Sequence, residues 1–316
     1  MQELWYAIYL LRLVFLSDNG SQYIGEHTDP YYDFMASSTK QIPQCADNSV
    51  CTINMAYTEG SSWEAFFLVD NMYLGGLTPS KTPQPSFPVQ FACQTAVTGL
   101  FQSQLADGIL GLSRALSSLQ FQMVAQKAAS SPIFGLCFKI GGGVITMGGI
   151  DQRLNEGHPI QYTPLIPTNN DWYCIKLLDI VLLGKGVGAD QTRSIGVPAG
   201  TFEGEHAALI DSGTTDSYFP SALLPIFEEH FLALTGIKYS TEDMVLTEQQ
   251  LNSVPDMRFV LEDVSGNSFS VTMMTTSFIE DVGDGKFAFR LYFTEKFGAI
   301  FGASFMNGND LLTKDA

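Results

Sequence analysis

Basic residues are scarce in this chain. Its 316 residues carry 16 Lys and Arg against 33 Asp and Glu, a formal net charge of −17. A surface of that sign repels phosphate backbones and anionic bilayers, which excludes a nucleic-acid partner. Cysteine is sparse as well, limited to Cys45, Cys51, Cys93, Cys137 and Cys174. None of these has the Cys-x-x-Cys spacing of a zinc ribbon, the His residues are scattered, and no His-Glu-x-x-His run exists. No metal site, structural or catalytic, is therefore expected. Cys45 and Cys51 close a short loop around Ala46-Asp47-Asn48-Ser49-Val50, a spacing that suits a local disulfide. Cys93 and Cys137 read either as a second pair or as buried free thiols, and the odd count leaves a lost partner or one free thiol. Long apolar runs are missing too. The most apolar stretch, residues 4–16, is shorter than a membrane span and carries Arg12 in its middle. Neither Met1-Gln2-Glu3 nor Leu16-Ser17-Asp18 has the basic start or small-residue cleavage site of a leader, so the stretch reads as a buried β-strand.

What is present describes a loop-rich globular protein. The chain is 45% hydrophobic with 29 Gly, 14 Pro and 23 Phe, and is long enough for two lobes with separate cores. Strand-like runs separated by Gly, Pro and Asn dominate: Phe66–Leu68, Val89–Ala92, Gly143–Met147, Tyr173–Leu183, Met257–Leu261, Phe269–Met274 and Lys286–Phe293. Two helices are predicted. One spans Ser117–Ala129; the other spans Ser221–Leu234, capped by Ser221 after Pro220, with Leu224, Phe227, Phe231 and Leu234 on one face. The expected fold class is mainly β with a few short helices.

Ala207-Ala208-Leu209-Ile210-Asp211-Ser212-Gly213-Thr214-Thr215 carries the chemistry. An apolar strand runs into an acid, followed by hydroxyl donors and a Gly that lets the backbone approach closely. Hydrogen bonds to the charged form and partial burial pull such a carboxylate's pKa in opposite directions, which suits acid–base work. An ordinary Asp-Ser-Gly turn is the competing reading, and the flanking apolar runs argue against it. The chain also echoes itself. Leu105-Ala106-Asp107-Gly108-Ile109-Leu110-Gly111-Leu112 and Phe297-Gly298-Ala299-Ile300-Phe301-Gly302-Ala303 are both apolar runs into Gly. Gly302 lies 91 positions after Asp211, and the same step back from Gly111 lands beside Asp18 in Val14-Phe15-Leu16-Ser17-Asp18-Asn19-Gly20-Ser21. Tyr57-Thr58-Glu59-Gly60-Ser61-Ser62-Trp63 reads as a hairpin tip.

These residues resemble the pepsin-like aspartic proteases, over residues 14 to 310. The positions of the cysteines lean toward the cysteine-bearing branch found in plants and protists. The resemblance implies a bilobal fold, with lobes at 1–158 and 159–316, and an aspartic endopeptidase acting on extended polypeptides without metal or organic cofactor. It implies Asp211 and Asp18 as the catalytic pair, oriented by Thr214 and Ser21, and Tyr57, Gly60, Ser61, Gly213, Thr214 and Thr215 as substrate-binding residues. It implies a monomer with peptide or protein substrates, in a secreted or endomembrane, acidic compartment. Three features depart from the family pattern. Asn19 stands where a hydroxyl residue is usual and also opens a glycosylation sequon; the region after Ile24 is short; and the chain ends at Ala316, before the family's last strands. They point to the rival reading, a pepsin-like protein that binds peptides or a protein partner without turnover.

Overall fold

A computed structural model describes residues 32–57, 60–74, 86–102, 108–139, 142–153, 159–185, 192–307 and 311–313. The apolar stretch 4–16, Asp18 and Ser21 lie outside the described residues, as do Thr58, Glu59 and residues 154–158 beside the expected lobe boundary.

Strands dominate. In the first half β1 (Thr52–Ala56), β2 (Ser62–Tyr73) and β3 (Ser86–Val97) form one antiparallel sheet in that order. Along β2 the side chains of Trp63, Ala65, Leu68, Asp70 and Met72 are buried, nearly every second residue, as a half-buried strand requires. Helix α1 (Leu119–Ala125) sets Leu119 and Met123, one turn apart, against Met72, Phe87 and Val89. It stops short of the expected Ala129. Lys127 takes a left-handed φ of 59°, and the N–H groups of Ala128 and Ala129 both turn back to the Met123 carbonyl. The hairpin β4 (Phe134–Lys139) and β5 (Gly142–Met147) follows.

The second half begins with β6 (Cys174–Ile175), β7 (Leu177–Leu183), β8 (Thr192–Ser194), β9 (Ala208–Ile210) and β10 (Ser217–Pro220). The expected single strand Tyr173–Leu183 is thus two, and they join different sheets: β6 pairs with β9, whereas β7 pairs with β8 and a later strand. Helix α2 (Leu224–Thr235) buries Phe227 and Phe231 and ends at Gly236, whose φ of 69° forms the left-handed cap. Ser221 does not cap it. A 3-10 turn, Ser221–Leu223, precedes the helix, and Pro225 takes a first-turn position. Then come β11 (Met244–Val245), α3 (Glu248–Ser253), β12 (Asp256–Glu262), β13 (Ser268–Met273), β14 (Ile279–Gly283), β15 (Lys286–Phe289) and β16 (Leu291–Glu295). Here too an expected strand, Lys286–Phe293, is divided. At Arg290 the chain leaves the β14–β15 sheet: its N–H goes to the Phe278 carbonyl, and its own carbonyl accepts from Ser217. The last elements are β17 (Ala299–Phe301), α4 (Ala303–Met306) and β18 (Leu311–Thr313), which returns to pair with β4.

The largest core lies in the second half, where Phe219, Phe259, Phe301 and Phe305 form an aromatic block under the β9–β17–β10 layer. Ring centroids are 5.7 Å apart for Phe219–Phe259, 5.0 Å for Phe259–Phe301 and 4.2 Å for Phe301–Phe305. Such pairs contribute about 0.5–1.5 kcal/mol each beyond simple area burial. Smaller clusters around Val89 and Trp63 serve the first half. Cys45 and Cys51 form the expected disulfide, while Cys93, Cys137 and Cys174 remain thiols. Among the described residues no helix is long and apolar enough to cross a membrane.

Candidate active site

The site is built by three short strands. β17 lies between β9, to which it is parallel, and β10, to which it is antiparallel. Because β9 and β10 flank β17, the loop that joins them, residues 211–216, must cross the end of β17. Parallel pairing sets Ile210 beside Phe301, so the next residues, Asp211 and Gly302, meet at that crossing. A side chain has no room there. A Cβ on Gly302 would lie 2.0 Å from the Asp216 carbonyl oxygen and 2.6 Å from that of Thr214. The separation of Asp211 and Gly302 read from the sequence is the spacing of this crossing.

Backbone bonds tie loop and turn together. Asp211 donates its N–H to the Phe301 carbonyl at 3.0 Å, Ala303 donates to Thr214 at 2.7 Å, and Ser304 donates to Thr215 at 3.0 Å. The half-buried Asp211 carboxylate is held by its own loop: Gly213 N–H donates to Oδ1 at 2.9 Å and Thr214 Oγ1 donates to Oδ2 at 2.6 Å. Hydrogen bonds to a charged acceptor are worth about 1.5–3 kcal/mol each, so the two fix both oxygens. Of the hydroxyls that follow Asp211, Thr214's is the one that reaches the carboxylate. Ser212 and Thr215 are exposed, and Thr215 engages through its carbonyl.

Asp216, at the far end of the loop, is half-buried. Burial raises its pKa, Arg290 opposes the rise and Glu280 adds to it. Arg290 is itself committed to Glu280 through Nε, at 2.7 Å, and a second guanidinium nitrogen.

The hairpin expected over the site joins β1 to β2. Tyr57 N–H donates to Ser61 O at 2.9 Å and Gly60 N–H donates to Tyr57 O at 3.0 Å. Gly60 has a φ of 96°, which a residue with a Cβ rarely adopts. The Tyr57 hydroxyl accepts from Trp63 Nε1 at 3.3 Å, and its ring meets Phe101 edge-on at 5.3 Å. Ser61 faces inward, almost fully buried, and its Oγ accepts from Leu100 N–H at 3.0 Å. It is thus part of the hairpin's footing.

The structure therefore gathers Asp211, Gly213, Thr214 and Thr215 in one loop and Tyr57, Gly60 and Ser61 in one hairpin, carried by separate sheets. Asp18 lies outside the described residues. Sequence reasoning passed over the Ser217–Ser304 hydroxyl pair, 3.0 Å apart beneath the loop, and the carboxylate of Asp70 in the hairpin's long strand. Both depend on partners more than thirty residues distant, which leave no local pattern. It also passed over α3, which Thr247 and Gln250 announce with a capping box. Among the described residues no group of acidic, His or Cys side chains could hold a metal ion.

A profile of the eukaryotic aspartyl protease family matches residues 14–309. Aspartic proteinases 36 and 39 of Arabidopsis thaliana are each 27% identical over 211 residues, 65% of this chain and 41% of theirs. Aspartic protease 5 of Toxoplasma gondii is 25% identical over 172 residues, 44% of this chain and 17% of its own length. The chain thus spans less than half the length of these relatives.

Proposed function

This chain belongs to the eukaryotic aspartyl protease family, and from that premise we propose that it is an endopeptidase whose Asp211 forms one half of a two-carboxylate centre. The observation that carries the reading is the grip on Asp211, a strand-end carboxylate with one donor on each oxygen. Asp18 is the proposed partner, and the lobes are proposed to divide at 158/159. Two carboxylates about 3 Å apart cannot both ionise and share one proton. The ionised member takes a proton from the water between them. The other donates to the scissile carbonyl oxygen, and the tetrahedral diol collapses to two products. Gly213 and Thr214 hold Asp211 in place for these transfers. Gly213, Thr214 and Thr215 line the cleft for an extended substrate, and the hairpin bearing Tyr57, Gly60 and Ser61 closes over it.

The Cys45–Cys51 disulfide and the excess of carboxylates favour an oxidising, acidic compartment, secreted or endomembrane. The test is cleavage of a denatured protein from about pH 3 to 7, where a shared proton is retained or lost, with and without pepstatin. Wild type, Asp18→Asn and Asp211→Asn are compared. Acid-optimal, pepstatin-sensitive activity lost in both variants is expected. Activity surviving Asp18→Asn would move the first carboxylate elsewhere, and a folded but inactive wild type would favour a peptide-binding role without turnover.

A further inference from the structure

The crossing at Gly302 has a second support besides the backbone ladder. Ser217, the first residue of β10, is fully buried. Its hydroxyl accepts from Gly302 N–H at 3.2 Å and lies 3.0 Å from the Ser304 hydroxyl, while its own N–H donates to Arg290 O at 3.2 Å. Gly302 N–H sits where the sheet ladder ends, and a buried N–H without an acceptor is destabilising. The Ser217 hydroxyl supplies that acceptor. An alanine would leave this position nearly the same shape and remove only the oxygen.

The consequence reaches Asp211 through a short chain of contacts. Gly302 is wedged under the Thr214 and Asp216 carbonyls, and the next residue, Ala303, donates to the Thr214 carbonyl at 2.7 Å. Thr214 in turn donates its hydroxyl to Asp211 Oδ2 at 2.6 Å. The height of Gly302 under the loop therefore sets where the Thr214 hydroxyl stands. We propose that Ser217 is a positioning residue for Asp211, acting through Gly302, Ala303 and Thr214, with Ser304 holding the Ser217 hydroxyl in line. The proposal rests on Asp211 being a reacting group.

Its test uses the whole chain and two readouts. The first is the NMR chemical shift of the Asp211 carboxyl carbon at neutral pH, the resonance being assigned by its loss in Asp211→Asn. The second is kcat and KM for a peptide cleaved at acid pH. In Ser217→Ala the Thr214 donor loosens, so the Asp211 carboxyl resonance moves, because a hydrogen bond to a carboxylate oxygen polarises the group. kcat falls roughly ten-fold with KM unchanged, the mark of an interaction realised in the transition state. Ser304→Ala, which spares the Ser217–Gly302 bond, moves both readouts the same way by less. Ser118→Ala is the comparator. It removes another buried hydroxyl, 3.0 Å from that of Ser113, and is expected to lower Tm without moving the Asp211 resonance. An unmoved resonance and an unmoved kcat in Ser217→Ala overturn the proposal. If that variant does not fold, an unmoved resonance in Ser304→Ala does so. A wild type that never cleaves defeats the endopeptidase reading alone, because the NMR resonance still reports whether Ser217 positions Asp211.

Discussion

Asp70 and Asp211 are the same chemical group used in opposite ways. Asp70 lies within β2, almost fully buried, and collects donors from all sides. The Tyr32 hydroxyl and the Thr39 hydroxyl, the latter at 2.5 Å, both point at it, and Asn71 N–H donates at 2.8 Å. Burial alone would raise its pKa. Hydrogen bonds from Ser37, Thr39, Tyr32 and Asn71 more than offset that and hold it well below the usual carboxylate range. Asp211 has one donor on each oxygen, both from its own loop, and keeps a face toward solvent. A carboxylate saturated by partners from remote segments serves to fasten the fold and stays ionised in acid. One gripped by its own turn and left half open stays within reach of solvent or a ligand.

The contrast breaks most violently at Gly302. Gly302→Ala drives a methyl into the Asp216 and Thr214 carbonyls, both backbone atoms with no side chain to swing aside. Overpacking of this kind is expected to destabilise by about 3 kcal/mol or more. Any folded fraction should cleave roughly a hundred-fold more slowly, since a displacement near 1 Å at reacting groups has that effect. Denaturant unfolding and acid-pH cleavage, measured on the same preparation, check both. Near-wild-type values would mean that the loop does not rest on the turn.

Asp70→Asn comes next and should strike stability alone. We expect a loss of about 2 kcal/mol, allowing for solvent at the edge of the site, with turnover per folded molecule unchanged. The pH dependence has a defined sign. The folded-state pKa of Asp70 is depressed, so its stabilisation is complete above the unfolded value of about 4 and drains away as pH falls below it toward the folded value. Wild-type Tm should therefore fall toward Asp70→Asn as the solution is acidified through that window. Parallel Tm curves would show that Asp70 is not the group being protonated.

The two carboxylates also differ in how legible they were. Asp211 announces itself because its donors and its apolar strand are contiguous, and because the apolar run into Gly302 that it meets is itself visible in the sequence. The hairpin of Tyr57 and Gly60 was legible for the same reason: the backbone bonds of its turn run between near neighbours. Asp70 is silent in sequence, since Tyr32 and Thr39 approach it from 38 and 31 residues away. The Ser217–Ser304 pair, 87 residues apart, is silent likewise. Strand breaks at Lys176 and Arg290 were missed because residue preference reports extended backbone and not the sheet a strand joins. The cap of α2 was missed because a 3-10 turn uses Ser221 before the helix starts.

Thr214 sharpens the comparison on the Asp211 side. Thr214→Ala removes the donor to Oδ2, and one hydrogen bond to a charged oxygen converts to a roughly ten-fold fall in kcat. Thr214→Ser keeps the hydroxyl and should recover most of it. Equal losses in the two variants would shift the role from the hydroxyl to the methyl group.

The smallest effect belongs to the Tyr57 hydroxyl. Its bond from Trp63 Nε1 is long, at 3.3 Å, and a neutral pair of that length contributes about 0.5 kcal/mol. Tyr57→Phe should therefore lower kcat/KM only about two- to three-fold. The ring is the larger part of the side chain's contact, since it meets Phe101 edge-on at 5.3 Å and holds the hairpin's end against its footing. Tyr57→Ala discards that packing together with the hydroxyl, and kcat/KM should fall by roughly ten-fold or more through KM. A Phe variant as impaired as the Ala variant would reverse the assignment. The hairpin would then resemble the Asp211 loop, positioned by one polar contact, and not the Asp70 strand, which is fastened by the sum of its packing.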